Sequence, residues 1–63
     1  MYRYYYFANT WDCNEPVQVE GYVEALSEED AIYKLIDDGI IDPKGYEFLE
    51  LRQMSANVRI KNL

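Results

Sequence analysis

The sequence predicts an α+β domain with the element order β-β-α-β-β, in which one helix packs on one face of a four-stranded, mostly antiparallel sheet. Three observations predict this fold class: an aromatic-rich first segment, an alternating second segment, and a capped amphipathic segment after it. A chain of 63 residues forms one small domain, so residues 1–63 are expected to share a single modest core.

The first strand is predicted over Tyr2–Ala8, because aromatic side chains pack well on a pleated surface. Alternation divides this strand into two faces, and both carry aromatic residues, so the sequence leaves open which face is buried. The two faces are Tyr2, Tyr4 and Tyr6 against Arg3, Tyr5 and Phe7. Residues 9–16 are rich in turn formers and are predicted to be the loop of a wide hairpin, with Trp11 inside it.

The second strand is predicted over Val17–Ala25, where apolar and polar residues alternate. Alternation of this kind is typical of a strand with one buried side. The apolar side comprises Val17, Val19, Gly21, Val23 and Ala25, and the polar side comprises Gln18, Glu20, Tyr22 and Glu24.

A helix is predicted to begin after Ser27, because S-E-E-D is a capping-box pattern in which Asp30 replaces the usual Glu or Gln. An apolar stripe with helical spacing follows, and Gly39 is expected to end the helix in a left-handed conformation before Pro43. The stripe consists of Ala31, Ile32, Leu35 and Ile36.

Two further strands are predicted over Tyr46–Met54 and Val58–Lys61, joined by a tight turn at residues 55–57. The predicted core, besides alternate aromatics of the first strand, is Val17, Val19, Val23, Ala25, Ala31, Ile32, Leu35, Ile36, Leu49, Leu51, Val58 and Ile60. Since one helix covers one face of a sheet, the other face is expected to present aromatic and charged side chains to a partner.

The formal net charge is −6, from twelve Asp and Glu against six Lys and Arg. All twelve acidic residues lie within residues 12–50, between mildly basic ends. An acidic surface repels phosphate groups, so neither direct nucleic-acid binding nor membrane binding is expected. A protein partner with a basic surface is expected instead, because it would be attracted and steered.

Chemistry-bearing residues are scarce, so we expect the protein not to be an enzyme and to hold no cofactor. The chain has no His and one Cys, so Cys13 has no imidazole to activate it. The cluster of Asp37, Asp38 and Asp42 lacks the alternating ligands of a calcium loop, and no metal site is predicted. The lone Cys, the lack of a signal-peptide pattern and the lack of a long apolar run predict a cytoplasmic protein.

The stretch from Val19 to Ile36, V-E-G-Y-V-E-A-L-S-E-E-D-A-I-Y-K-L-I, resembles the DpnD/PcfM-like family of short proteins from phage and mobile elements. A similar cadence occurs in the N-terminal domain of type II secretion and pilus inner-membrane proteins. Both resemblances imply a non-enzymatic role, and neither assigns functional residues to this chain.

These observations predict a small, acidic, protein-binding module. Its most concrete form is a phage or mobile-element inhibitor, of anti-CRISPR or other anti-defence type, that mimics nucleic acid and occupies a basic surface of a host nucleic-acid-handling protein. The expected contact residues are Trp11, Tyr5, Tyr22, Glu20, Glu24, Asp37 and Asp38. The alternative is a structural or assembly domain that self-associates, as a homodimer for example, through an exposed sheet face or strand.

Overall fold

The structure is a computed structural model that describes residues 1–55. The elements are β1 (Tyr2–Asp12), β2 (Glu15–Ala25), α1 (Glu28–Asp37) and β3 (Tyr46–Ser55). The sheet order is β2-β1-β3, and both outer strands run antiparallel to β1. The aromatic-rich segment is therefore the central strand, and α1 lies in the connection between the two outer strands.

The predicted four-stranded sheet is wrong, because the described chain forms three strands. β2 and β3 occupy both edges of β1, so the central strand has no edge left for another neighbour. The predicted turn at residues 55–57 does not begin at Ser55, which belongs to β3. The predicted strand Val58–Lys61 lies outside the described residues, as do the predicted core residues Val58 and Ile60.

The wide hairpin loop predicted over residues 9–16 is also wrong. β1 and β2 are joined by a turn of two residues, Cys13 and Asn14, whose φ angles are 53° and 69°. Positive φ at both central residues is the geometry of a type I′ turn, whose twist matches that of the flanking strands. Both strands therefore continue to the turn, and Trp11 lies within β1 opposite Pro16 instead of in a loop.

The predicted helix and its cap are confirmed. The Ser27 hydroxyl accepts a hydrogen bond from the backbone N–H of Asp30 at 3.1 Å. The Asp30 carboxylate in turn accepts from the backbone N–H of Leu26 at 2.9 Å. Gly39 follows the helix with φ of 75°, and its N–H donates to the Ile36 carbonyl oxygen at 3.0 Å.

With ten residues, α1 is too short to cross a bilayer, and residues 1–55 contain no helix that is long and apolar enough to do so.

The core lies between α1 and the face of β1 formed by its even-numbered residues. Tyr4, Tyr6, Ala8 and Thr10 are buried there, which settles the face that the sequence left open. Leu35 of α1 is fully buried against Tyr6 and against Ile41 from the segment after the helix.

A β-bulge in β3 explains why the predicted core residue Leu49 is half exposed. Phe7 pairs with Glu50, but the next residue, Ala8, pairs with Phe48, so Leu49 is the extra residue of the bulge. Strict alternation assigned Leu49 and Leu51 to the same buried side. In the structure, Phe48 packs in the core with Leu51, while Leu49 is 49% exposed.

Candidate functional site

We call the face of the sheet turned away from α1 the open face. It consists of the odd-numbered residues of β1 and the residues that pair with them on β2 and β3. Starting from the hairpin turn, its cross-strand rows are Pro16–Trp11, Gln18–Asn9–Glu47, Glu20–Phe7–Glu50, Tyr22–Tyr5–Arg52 and Glu24–Arg3. The central strand contributes most of the aromatic side chains of this face, and the carboxylates lie on the two flanking strands.

Tyr5 is held in place by three neighbours on the open face. Its ring centre lies 5.5 Å from that of Tyr22, and the guanidinium carbon of Arg52 lies 5.9 Å from the Tyr5 ring centre. Its hydroxyl donates a hydrogen bond of 2.5 Å to the Glu20 carboxylate. A hydrogen bond to a charged acceptor is short and strong, so Tyr5 is a rigid support for the more exposed ring of Tyr22.

The hydrogen bond to Glu20 raises the pKa of Tyr5 to about 12, with smaller contributions from desolvation and from the charges of Glu20 and Glu50. Because the folded pKa lies above the ordinary value of 10.0, the contribution of this bond to stability is fully present below pH 10.0 and is lost as pH rises through about 12. We expect Glu20→Gln to move the Tyr5 pKa back toward 10.0, as followed by NMR of ¹³Cζ-labelled tyrosine.

Glu24→Gln is the matched control for this titration, because it is the same chemical change on the same strand and Glu24 does not contribute to the raised Tyr5 pKa. An unchanged Tyr5 pKa in Glu20→Gln, or an equal fall in both variants, would contradict the assigned hydrogen bond.

Two aromatic side chains of the open face are strongly exposed. Tyr22 is 61% exposed, and Trp11, near the hairpin turn, is 50% exposed. Trp11 is positioned by Gly45: a Cβ atom added to Gly45 would lie only 2.8 Å from Cδ1 of the indole. The indole therefore packs directly on backbone that lacks a side chain, which holds the ring while leaving about half of it accessible.

The charges of the open face are unevenly neutralised. Arg3 lies 3.8 Å from Glu24, and Arg52 lies 3.0 Å from Glu50, both at the end far from the hairpin turn. Glu47 lies toward the hairpin turn and forms no ion pair with any residue of the described chain. Exposed ion pairs contribute little to stability, so these side chains stay available to a partner.

The predicted contact residues do not form one surface. Trp11, Tyr5, Tyr22, Glu20 and Glu24 all lie on the open face, as their pairing shows.

Asp37 and Asp38 lie at the C-terminal end of α1, on the other side of the sheet, where they are exposed. A flat partner therefore contacts one group or the other.

Sequence reasoning did not place Asn9 or Glu47 on the open face, and it gave Gly45 no role beside Trp11. Asn9 was missed because β1 extends further toward the turn than predicted. Glu47 was missed because the bulge at Leu49 places both Glu47 and Glu50 on the same face. Phe7 was predicted to share a face of the first strand with Tyr5, and its pairing with Glu20 of β2 and Glu50 of β3 confirms that the two residues share the open face.

Among the described residues, no group of three or more Cys, Asp or Glu side chains is arranged to hold a metal ion. The site therefore offers aromatic, carboxylate and amide groups on an open surface.

Comparisons with protein families, characterised proteins and solved structures find no match to this chain, so the resemblance of residues 19–36 to the DpnD/PcfM-like family stays a prediction.

Proposed function

We propose that this chain is a small, acidic, non-enzymatic protein-binding module of the cytoplasm, and that its partner docks on the open face. The observation that carries the proposal is the exposure of Trp11 and Tyr22 on a sheet face that α1 leaves uncovered. Tyr and Trp are enriched among the residues that dominate binding free energies, because their rings bury a large area with few rotatable bonds.

The partner's surface is expected to be basic where it meets this face. The open face carries Glu20, Glu24, Glu47 and Glu50 against Arg3 and Arg52, so its balance is acidic. Complementary charge speeds encounter and disfavours wrong partners. For the same reason, neither nucleic acid nor an anionic membrane is the proposed ligand.

The most specific form of the proposal is a phage or mobile-element inhibitor of anti-CRISPR or other anti-defence type. Such an inhibitor would occupy the basic surface of a host nucleic-acid-handling protein, with its carboxylates in the place of phosphates. Support comes from the net charge of −6 and from exposed carboxylates on the open face, such as Glu24 and Glu47.

The test is to capture the partner from a lysate of the source cell and to measure its affinity for variants of single exposed rings. We expect Trp11→Ala and Tyr22→Ala each to weaken binding by about 2 kcal/mol or more, roughly 30-fold, the loss typical of an interface hot spot.

Tyr33→Ala is the matched control, because Tyr33 is 59% exposed but lies on α1, across the sheet from the open face. The control is expected to bind within about twofold of wild type, as surface truncations outside an interface do. If Tyr33→Ala weakens binding as much as Tyr22→Ala does, the partner does not dock on the open face.

A second candidate function, self-association, is favoured by the outer edge of β2, which pairs with no strand of residues 1–55. An unpaired edge is a template for another strand. Two features oppose pairing: Pro16 has no N–H group to donate, and the Lys34 ammonium donates to the Glu24 carbonyl oxygen at 2.9 Å. Sedimentation over a range of protein concentrations tests this candidate. A monomer at every concentration would exclude self-association as the function.

A further inference from the structure

The end of the open face nearest the hairpin turn contains a recess of about 570 Å³. The polar row of Gln18, Asn9 and Glu47 crosses it, and the rings of Trp11 and Pro16 lie in the next row. The volume is in the range of small-ligand sites, but the recess opens broadly to solvent, so it suits a long side chain reaching in from a bound protein.

The indole of Trp11 contacts the Gly45 backbone and is half exposed. A Cβ atom placed on Gly45 would lie 2.8 Å from Cδ1 and 3.0 Å from Nε1 of the ring. The Cδ1 and Nε1 atoms of the ring therefore lie against the Gly45 backbone, while 50% of the side chain is exposed and the residue lines the recess. The face of an indole attracts cations through its quadrupole, more strongly than Tyr or Phe does.

The polar groups of the recess select a cation over an anion. Glu47 supplies a carboxylate with no ion-pair partner in the described chain, and the amide oxygens of Asn9 and Gln18 are further acceptors. None of the described residues that line the recess is Lys or Arg.

We infer that this recess binds the guanidinium or ammonium group of an Arg or Lys side chain, stacked on Trp11 and paired with Glu47. The inference rests on the proposed function, because it specifies what the partner protein brings to one end of the open face. A planar guanidinium group can pair with a carboxylate and stack on an aromatic ring at the same time.

The probe is Nα-acetyl-arginine amide, and its uncharged counterpart is Nα-acetyl-citrulline amide, which has nearly the same shape. Trp11 is the one tryptophan of the chain, so its indole N–H gives a single assignable NMR signal. We expect a saturable shift of this signal with arginine amide, with a dissociation constant on the order of millimolar for so small a ligand. Citrulline amide is expected to bind at least about twofold more weakly, because it lacks the charge that the ring attracts.

Two variants test the two parts of the site separately. Glu47→Gln removes the carboxylate, and Gly45→Ala displaces the indole from its seat while leaving the carboxylate intact. Each is expected to weaken arginine amide binding by about two- to fivefold, the loss of one exposed charged pair or one cation–π contact. Glu50→Gln is the matched control and should bind like wild type, because Glu50 pairs with Arg52 and does not line the recess.

Equal shifts with the arginine and citrulline amides, or unchanged binding by Glu47→Gln, would overturn the inference. This measurement needs no partner protein, so its failure is distinguishable from failure of the proposed function. If the arginine probe does not bind but Tyr22→Ala still weakens partner binding, the cation site is wrong and the open face remains the docking surface.

Discussion

Leu35→Ala is expected to lower the free energy of unfolding by about 3 to 5 kcal/mol, the loss seen when a leucine is truncated in a core that cannot collapse around the cavity. Leu35 is 0% exposed and lies in one cluster with Tyr6 and Ile41. A chain of 63 residues has a total stability of roughly 3 to 9 kcal/mol, so this variant should be largely unfolded under mild denaturing conditions. Urea denaturation followed by circular dichroism measures the effect.

Leu49→Ala is the matched control for that experiment, because it is the same substitution at a residue that sequence alternation assigns to the core. Since the bulge leaves Leu49 49% exposed, its truncation should cost at most about 1 kcal/mol. Equal losses from the two variants would contradict both the bulge and the assignment of the core.

Gly21→Ala is expected to destabilise the fold by about 1 to 3 kcal/mol through overpacking, although alanine is normally the better residue in a strand. Gly21 pairs directly with Tyr6, whose ring lies across it on the buried face of the sheet. An added Cβ atom would lie 2.7 Å from the Tyr6 hydroxyl oxygen and 3.1 Å from Cζ. The ring is buried under α1, so it has little room to move away.

A double-mutant cycle with Tyr6→Phe isolates this clash. Removing the hydroxyl removes the nearest atom, so the double variant Gly21→Ala/Tyr6→Phe should recover part of the loss caused by Gly21→Ala alone. Simple additivity of the two single losses in urea denaturation would show that Tyr6 does not cover Gly21.

Local signals in the sequence were sufficient for the capped helix and for the face assignment of β2. Ser27 and Asp30 are residue types that cap the start of a helix, and Gly39 readily adopts the positive φ that ends one. Their spacing therefore identifies both ends of α1. The separation of Glu20 from Val19 on β2 follows from alternation alone. These features depend on neighbours in the chain, which a sequence displays directly.

The features that the sequence did not reveal depend on pairing between strands. The turn at Cys13 and Asn14 contains no glycine, so its positive φ angles carry no strong local signal. The bulge at Leu49 shifts the register between β1 and β3, and no Gly or Pro in β3 signals it in the sequence. Consequently, the strands were predicted too short, and Glu47 was not recognised as part of the open face.

The buried face of β1 also could not be chosen from β1 alone, since both of its faces are aromatic. The residues on the neighbouring strands determine which face is buried. Gly21, opposite Tyr6, leaves space for a large ring beneath the helix, whereas the charged residues Glu20 and Glu50 flank Phe7 on the other face. The same pairing separates the predicted contact residues into an open-face group and the pair Asp37 and Asp38 at the end of α1.

The measurement that most directly tests the open face as the docking surface compares two charge variants for affinity toward the captured partner at physiological salt. Glu20→Gln/Glu24→Gln and Asp37→Asn/Asp38→Asn each remove two negative charges, on opposite sides of the sheet. Because the screening length is about 8 Å at this ionic strength, charges across the sheet from an interface contribute little. We predict that the open-face variant weakens binding by about tenfold and the helix-end variant by no more than about twofold. A greater loss from Asp37→Asn/Asp38→Asn would contradict the account and place the partner on the helix side.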